Sequence, residues 1–537
     1  MVIRKLTLLL LLAGSCSSGD NTPSLPTFDP DALISVSGTM IDIRDVRSGD
    51  ALYPQNDDFK IPQEFAIAFG SNMHYATTLR EYRGVERVSA NHPTILRIAV
   101  ADNIHPGSMW NDSHTSFRIG SLRMHLYTCH YTTPGKWIPV PSGQPNAATL
   151  VFGREITVDG VPPAPGKLIA SATELRKRNI TNPSIMILSD GSYFVGSSGP
   201  DPKGKGNTYF RSTDKGLSWK KCSNPDYMNF CKCFICPSDP STLYEVGISA
   251  ATRGNIVIRK SSDKGHTWSS LTTLFKGDYH GAPTPFIEYQ GRIWHAMGTA
   301  PADGKMGITV LSIPIGSDPM RPANWTLTNT LTGDTSWLSG NPDHIFNEWQ
   351  EGCIVVDPAG KLVVLIRIDD SRTNDLAALV SVTDQRTITF NPATGFCDMP
   401  GGGKKFTVRY DTVSGKYWTL ANPCYDEDRV RTHTGWYSTR IYPIFLRSRL
   451  VLCSSADLRN WTVVKEVISS NNCFFHGFQY TDWEFDGNDI IAVSRTAFPE
   501  SRGLPIRQHD ANMLTFHRIV DFRSAGFTTE NITYDQL

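Results

Sequence analysis

Polar residues able to do acid–base or anion chemistry stand just ahead of apolar runs at widely separated points of this sequence. They are Asn182 in ITNPS, His280 in GDYHGAP, Trp349 and Glu351 in EWQEG, Asn422 in LANPC, and His476, Gln479 and Tyr480 in FFHGFQYTDW; His509 and Asn512 in RQHDANMLTFH open a late run. Arg367 in LIRID and Arg495 in SRTAF occupy equivalent places at the ends of apolar runs. A guanidinium neutralises a carboxylate, a His or Tyr moves a proton, a carboxyl serves as acid, and an indole stacks on a sugar ring. On these residue types the expected catalytic group is His280, His476, Tyr480, Arg367 and Glu351. The expected binding group is Asn182, Trp349, Gln479, Arg495 and His509. Each has a plainer alternative. A His before a strand also caps turns, a buried Arg pairs with any nearby carboxylate, and Trp349 serves equally as core.

The elements that must gather these residues are hairpins. NPSIMILSDGSYFVGSSG holds two apolar strands around Asp190-Gly191, a strong turn signal. The same grammar returns around Gln290-Gly291, Pro358-Ala359-Gly360, Ser414-Gly415 and Gly487-Asn488. Helical periodicity is nearly absent. Units of roughly 50–70 residues, each a small antiparallel sheet, cannot bury both faces alone and pack about an axis. The expected fold is all-β: a six- or seven-bladed β-propeller over 151–537, with a β-rich N-terminal module or elaborated first blade over 31–150. The inner strands of such a ring bring distant residues to one mouth.

RSTDKGLSW from Arg211 and KSSDKGHTW from Lys260 are near repeats, and RSRLVLCSSADLRNW is a degenerate third copy ending at Trp461. In the two full copies Asp214 and Asp263 can accept backbone N–H bonds across a turn, Gly216 and Gly265 allow positive φ, and Trp219 and Trp268 pack between strands. This Ser-x-Asp-x-Gly-x-Ser/Thr-Trp pattern resembles the Asp-box of bacterial sialidases. YHGAPTPFIEYQGRIW, WQEGCIVVDPAGKLVVLIRID and HGFQYTDWEFDGNDIIAVSRTAF are similar to sialidase-like propellers of Bacteroidetes, a group related to propeller rhamnosidases and polysaccharide lyases. The resemblance spans about 179–520 and implies an active site at the axis, with the boxes on a distant rim. It also implies three Arg for a substrate carboxylate, a Tyr–Glu nucleophile pair and an Asp acid/base. The first Arg of that group lies in a Phe/Tyr-Arg-Ile-Pro motif, and the nearest match is Arg118 in FRIG.

The chain of 537 residues is 40 % hydrophobic, with 52 basic and 52 acidic residues. Zero formal charge gives no drive toward nucleic acid, so anion recognition must be local. MVIRKLTLLLLLAGSC has a basic start, a short leucine run and small residues before Cys16. It resembles a lipobox, with Cys16 lipidated, 1–16 removed as leader and 17–30 a tether. The expected location is extracytoplasmic, with membrane contact only through the lipid. Eleven Cys fit an oxidising compartment; Cys222, Cys231, Cys233 and Cys236 could hold zinc, with Cys233-x2-Cys236 as a common ligand pair, or be disulfides or buried thiols, so no metal is assigned and no cofactor is expected. The function expected is an exported glycosidase of the sialidase type releasing a terminal acidic or deoxy sugar from a glycan. The alternatives are a polysaccharide lyase eliminating across a uronate and a non-catalytic glycan-binding propeller.

Overall fold

The structure, a computed structural model, describes the strands lying between 34 and 155 with residues 110, 136, 137 and 140. It also describes residues 165–524 except 173, 176–178, 199–206, 224, 301–304, 426–442, 471–475, 499–504 and 506–507, and the strand Ile532–Thr533. The proposed leader and Cys16 lie outside the described residues.

The N-terminal strands form a three-stranded sheet, a six-stranded sheet and a small hairpin, Ala51–Tyr53 with Asn56–Lys60. The six-stranded sheet includes Thr149–Glu155, which runs across the domain boundary expected at 150/151.

The remaining strands make antiparallel sheets, each meandering outward from an inner strand. Sheet I is Thr181–Ile187, Tyr193–Ser198, Thr208–Ser212 and Lys220–Ser223. Sheet II is Asn229–Cys236, Asp239–Ile248, Gly254–Ser261 and Thr272–His280. Sheet III is Ile287–Tyr289, Arg292–Thr299, Gly307–Pro314 and Thr326–Leu327, and it is continuous with sheet II, because Tyr279 and His280 pair with Thr299 and Gly298. Sheet IV is Trp349–Val356, Leu362–Ile368, Leu376–Asp384 and Thr387–Thr389. Sheet V is Val408–Asp411, Lys416–Ala421, Arg449–Ser455 and Trp461–Ser469. Sheet VI is Gly477–Asp486, Asp489–Ala497 and Met513–Ile519. Its fourth strand is Lys167–Ser171, which precedes sheet I in the chain and so laces the two ends of the array together. The arrangement is propeller-like, and the only helix among the described residues is two 3-10 turns. All five hairpins read from the sequence are present.

Neighbouring sheets pack through apolar faces. Trp294, Ile308, Trp349, Val364 and Ile366 fill the space between sheets III and IV, and Leu420, Leu452, Phe478 and Ile490 that between V and VI. The repeated nonapeptide seals the outer part of such seams. Asp214 accepts from Ser218 N at 2.9 Å and Asp263 from Thr267 N at 2.8 Å. Gly216 and Gly265 hold φ of 92° and 86°, and a Cβ there would lie 2.3 Å from the Phe516 and Phe194 rings of the preceding sheet. Trp219 then meets Phe516, and Trp268 meets Tyr209.

The axis is closed by ions. The Asp482 carboxylate on the inner strand of sheet VI is wholly buried and binds Lys232 Nζ of sheet II. It also accepts from Ile185 N of sheet I at 2.9 Å and from Thr407 Oγ1, just before sheet V, at 3.2 Å. Lys405 Nζ reaches Thr407 Oγ1 and Thr481 O beside it. Asp482→Ala leaves a buried ammonium and an amide unpaired, so it should cost about 3–5 kcal/mol in chemical denaturation. The double variant Lys232→Met/Asp482→Leu should recover most of that. An unchanged denaturation midpoint in the single variant would remove this pair from the account of the fold.

Candidate functional site

Four inner strands share one irregularity near their starts. Asn182 is an extra residue between Thr181 and Pro183 in sheet I. Phe230-Cys231, Gln350-Glu351 and Tyr480-Thr481 are two-residue bulges in sheets II, IV and VI, each opposing one residue of the next strand. Asn182, Phe230 and Tyr480 have φ of 47°, 53° and 53°, the left-handed region that non-glycine residues rarely enter. A bulge re-aims side chains out of the alternating pattern. Here Asn182, Phe230, Gln350, Glu351 and Tyr480 all turn into one cavity of about 450 Å³.

Of the ten residues expected from sequence, seven line that cavity: Asn182, His280, Glu351, Arg367, Tyr480, Arg495 and His509. Three are elsewhere. Trp349 is fully buried among Trp337, Phe346 and Phe390, because the position just before the bulge faces the seam between sheets. His476 is buried, bonded through Nδ1 to Ser470 Oγ at 2.8 Å and set against Phe498. Gln479 is buried and donates to the carbonyls of Gln508 and His509, so it holds the loop carrying His509 rather than facing the cavity. Asn422 and Asn512 likewise bond only backbone of neighbouring segments. Arg118 lies on the strand Asn111–Ile119, outside sheets I–VI, and Thr181-Asn182-Pro183 opens sheet I in its stead.

The cavity wall carries the Glu351 carboxylate, the Tyr480 phenol and the Arg367 and Arg495 guanidinium groups, with a third guanidinium, Arg447, buried against the Tyr480 ring. Arg367 Nη1 binds Glu351 Oε2 at 2.6 Å and approaches Tyr480 OH at 3.4 Å, while its Nε donates to Gly403 O at 2.7 Å. Tyr480 OH donates to Glu351 Oε1 at 3.3 Å. Arg447 and Arg495 stand over the Tyr480 ring, at 5.1 and 5.2 Å from its centroid. Arg447 is 1 % exposed, and among the described residues its Nε and Nη1 have no hydrogen-bond partner. Sequence reasoning missed it because it opens no inner strand. Its carbonyl accepts from Phe478 N at 2.8 Å, which sets it where sheets V and VI meet. The signal available was two Arg in the apolar run FLRSRL. Asn229, Gln350 and Asp510 are further lining residues not foreseen.

The electrostatics assign protonation states. Burial alone would raise the Glu351 carboxyl, but the Arg367 guanidinium bonded to it outweighs burial and holds it at about 2. Held ionised in this way, Glu351 is placed to accept a proton at neutral pH, whereas the sequence reading gave it as a candidate acid. Burial, followed by Arg367 and Arg495, pushes Arg447 down to about 9 against the pull of Tyr480, leaving it charged at neutral pH. Burial also lowers His280, whose Nδ1 sits 3.0 Å from Thr252 O. A carbonyl only accepts, so Nδ1 carries the proton and Nε2 keeps a lone pair. Burial and then Arg495 take His509 to about 3, with its Nδ1 at 2.8 Å from Asp510. Three guanidinium groups against Glu351 and Asp510 leave the site net positive.

Among the described residues no group of three or more His, Cys, Asp and Glu is placed to hold a metal. No disulfide joins any two of the nine described cysteines. Cys231 and Cys233 face the seam between sheets I and II with Tyr209 and Glu245, so alternation along a strand, rather than a ligand set, explains their spacing.

The fold and cavity define an all-β, propeller-like protein with a cationic mouth. No protein-family model and no curated protein matches the sequence. Among solved structures the chain is similar to a Hadza microbial sialidase at 13 % identity and TM-score 0.43, covering 80 % of this chain and 90 % of that one. It is similar to a leech intramolecular trans-sialidase at 11 % and 0.44, covering 91 % and 100 %. It is also similar to an α-L-arabinanase of Penicillium chrysogenum at 13 % and 0.41, covering 66 % and 98 %.

The buried imidazoles set an acid limit to stability. Burial holds His295 and His517 at about 4 and, with Arg495, His509 at about 3. Below the usual imidazole range the unfolded chain takes up protons that these native rings refuse, so stability falls as pH drops from about 6.5 toward 4. Thermal midpoints across that range should decline, and His517→Gln should flatten part of the decline. Midpoints independent of pH there would show the rings to be solvated.

Proposed function

We propose that sheets I–VI are the six blades of one sialidase-like ring, and that its cationic mouth is the active site of an exported glycosidase releasing a terminal acidic sugar. The carrying observation is Tyr480: its oxygen is within reach of the Glu351 carboxylate while three guanidinium groups surround it, one with free donors. Planar guanidinium groups suit a substrate carboxylate. With the carboxylate held there, the anomeric carbon lies at the phenol. Glu351, ionised, takes the Tyr480 proton as the phenol oxygen bonds to that carbon, and Arg367 steadies the developing phenolate. The bond to the leaving oxygen breaks, and that oxygen gains a proton from the water that the open mouth admits. Water then displaces Tyr480 with retention. Because sheet I offers Thr181 where the sialidase group has its first Arg, the sugar need not be a sialic acid; Arg495 supplies the third guanidinium.

Tyr480→Phe should abolish turnover while retaining binding of the acidic product. Glu351→Gln should lower kcat about 10²–10⁴-fold. Arg447→Met should raise KM about 10–100-fold, the loss of a charge-assisted contact. Turnover surviving in Tyr480→Phe would exclude the phenol as nucleophile. The neutral His280, with Nε2 unprotonated at the mouth, favours a second reading, β-elimination from a uronate. Product mass separates the two: hydrolysis adds water, whereas elimination adds none and leaves an ultraviolet-absorbing alkene. Binding without any turnover across an acidic-glycan panel would instead make the protein a lectin. Fatty-acid labelling lost in Cys16→Ser is the test of the lipid anchor.

A further inference from the structure

A second cavity, of about 600 Å³, lies away from the cationic mouth. It is built from the opposite ends of the inner strands. The mouth uses residues 182, 230, 350–351 and 480 near strand starts. This cavity uses Val356 and Asp357 at the end of the first strand of sheet IV, Tyr410 near the end of that of sheet V, and Phe485 near the end of that of sheet VI, with Glu288 of sheet III. The Asp482–Lys232 plug lies between the two along the axis.

Tyr410 is 48 % exposed, one of few large apolar rings left so. It pairs across the hairpin with Tyr417, centroids 4.9 Å apart, and Tyr417 is anchored by its hydroxyl on Val356 O at 2.8 Å. Among the described residues neither the Tyr410 hydroxyl nor the Glu288 carboxylate has a hydrogen-bond partner, and both line the cavity. Arg409, the cation lining this cavity, is spent on Glu484 and Trp483 O. An apolar floor, a braced aromatic face and an unspent carboxylate and phenol on one rim are complementary to a ring with apolar C–H faces and hydroxyl edges. Glu288 and Asp357 make the rim acidic, so it repels the anions that the other mouth attracts.

We propose that this cavity is a second, non-catalytic carbohydrate site that takes a neutral sugar unit of a polysaccharide chain, leaving the cationic mouth for the acidic terminus. The test uses the full chain with neutral oligosaccharides of glucan, galactan, mannan and xylan type, read by calorimetry and by retardation in gels containing each polymer. Binding to at least one is expected, weakened 10-fold or more by Tyr410→Ala and by Glu288→Gln, with Tyr410→Phe weakening it less. A small acidic glycoside should be turned over by these variants at the wild-type rate, so the two sites fail independently. Absence of binding to every neutral glycan, or binding indifferent to Tyr410→Ala in a variant that melts like wild type, would overturn the assignment.

Discussion

The wholly buried carboxylate of Asp482 is the point at which sheets I, II, V and VI meet. A lone carboxylate in such a place would be forbidden by its desolvation, and so would the Lys232 ammonium. Together, with an amide and a hydroxyl completing the carboxylate's bonds, they are tolerated only if all four sheets hold their spacing. Removing one partner is therefore far worse than replacing both, which makes the pair a device of specificity: other packings of these strands strand a charge. The inner strands begin on one side of this plug, and that side is where the polar residues gather.

The gathering itself depends on bulges. A regular inner strand would send alternate side chains into the two seams beside it, and none along the axis. The extra residue in sheets I, II, IV and VI breaks the alternation at the same height four times. Left-handed backbone at Asn182, Phe230 and Tyr480 carries the strain. Electrostatics then select among what is delivered. Glu351 is ionised because Arg367 touches it, and His280 and His509 are neutral because they are buried near guanidinium groups. Leaving Arg447 nitrogens without partners is costly in a folded protein, and such a cost is kept where a ligand supplies the missing acceptor.

The hairpins were legible because turn chemistry and alternation are local. The nonapeptide was legible because Asp, Gly and Trp each do a job within nine residues. Seven of ten site residues were legible for a related reason: polar types ahead of apolar runs in a ring must face its mouth. Trp349, His476 and Gln479 stand one to four residues from true lining positions and were misread. Sequence shows that a polar residue is near a strand start; it does not show on which residue the bulge falls. Arg447 was invisible to that logic, since it stands before the third strand of its sheet and meets the Tyr480 ring only through contact between two sheets.

What the sequence by itself determined is the all-β character, the repeated hairpin and the sealed turn, because each is decided by interactions within a dozen residues. What only the tertiary structure decided is which side chains share a cavity, which of them are charged, and that the array closes by pairing Lys167–Ser171 on Met513–Ile519. Those outcomes rest on distances between residues hundreds of positions apart, and on a local dielectric that exists only once the sheets have packed.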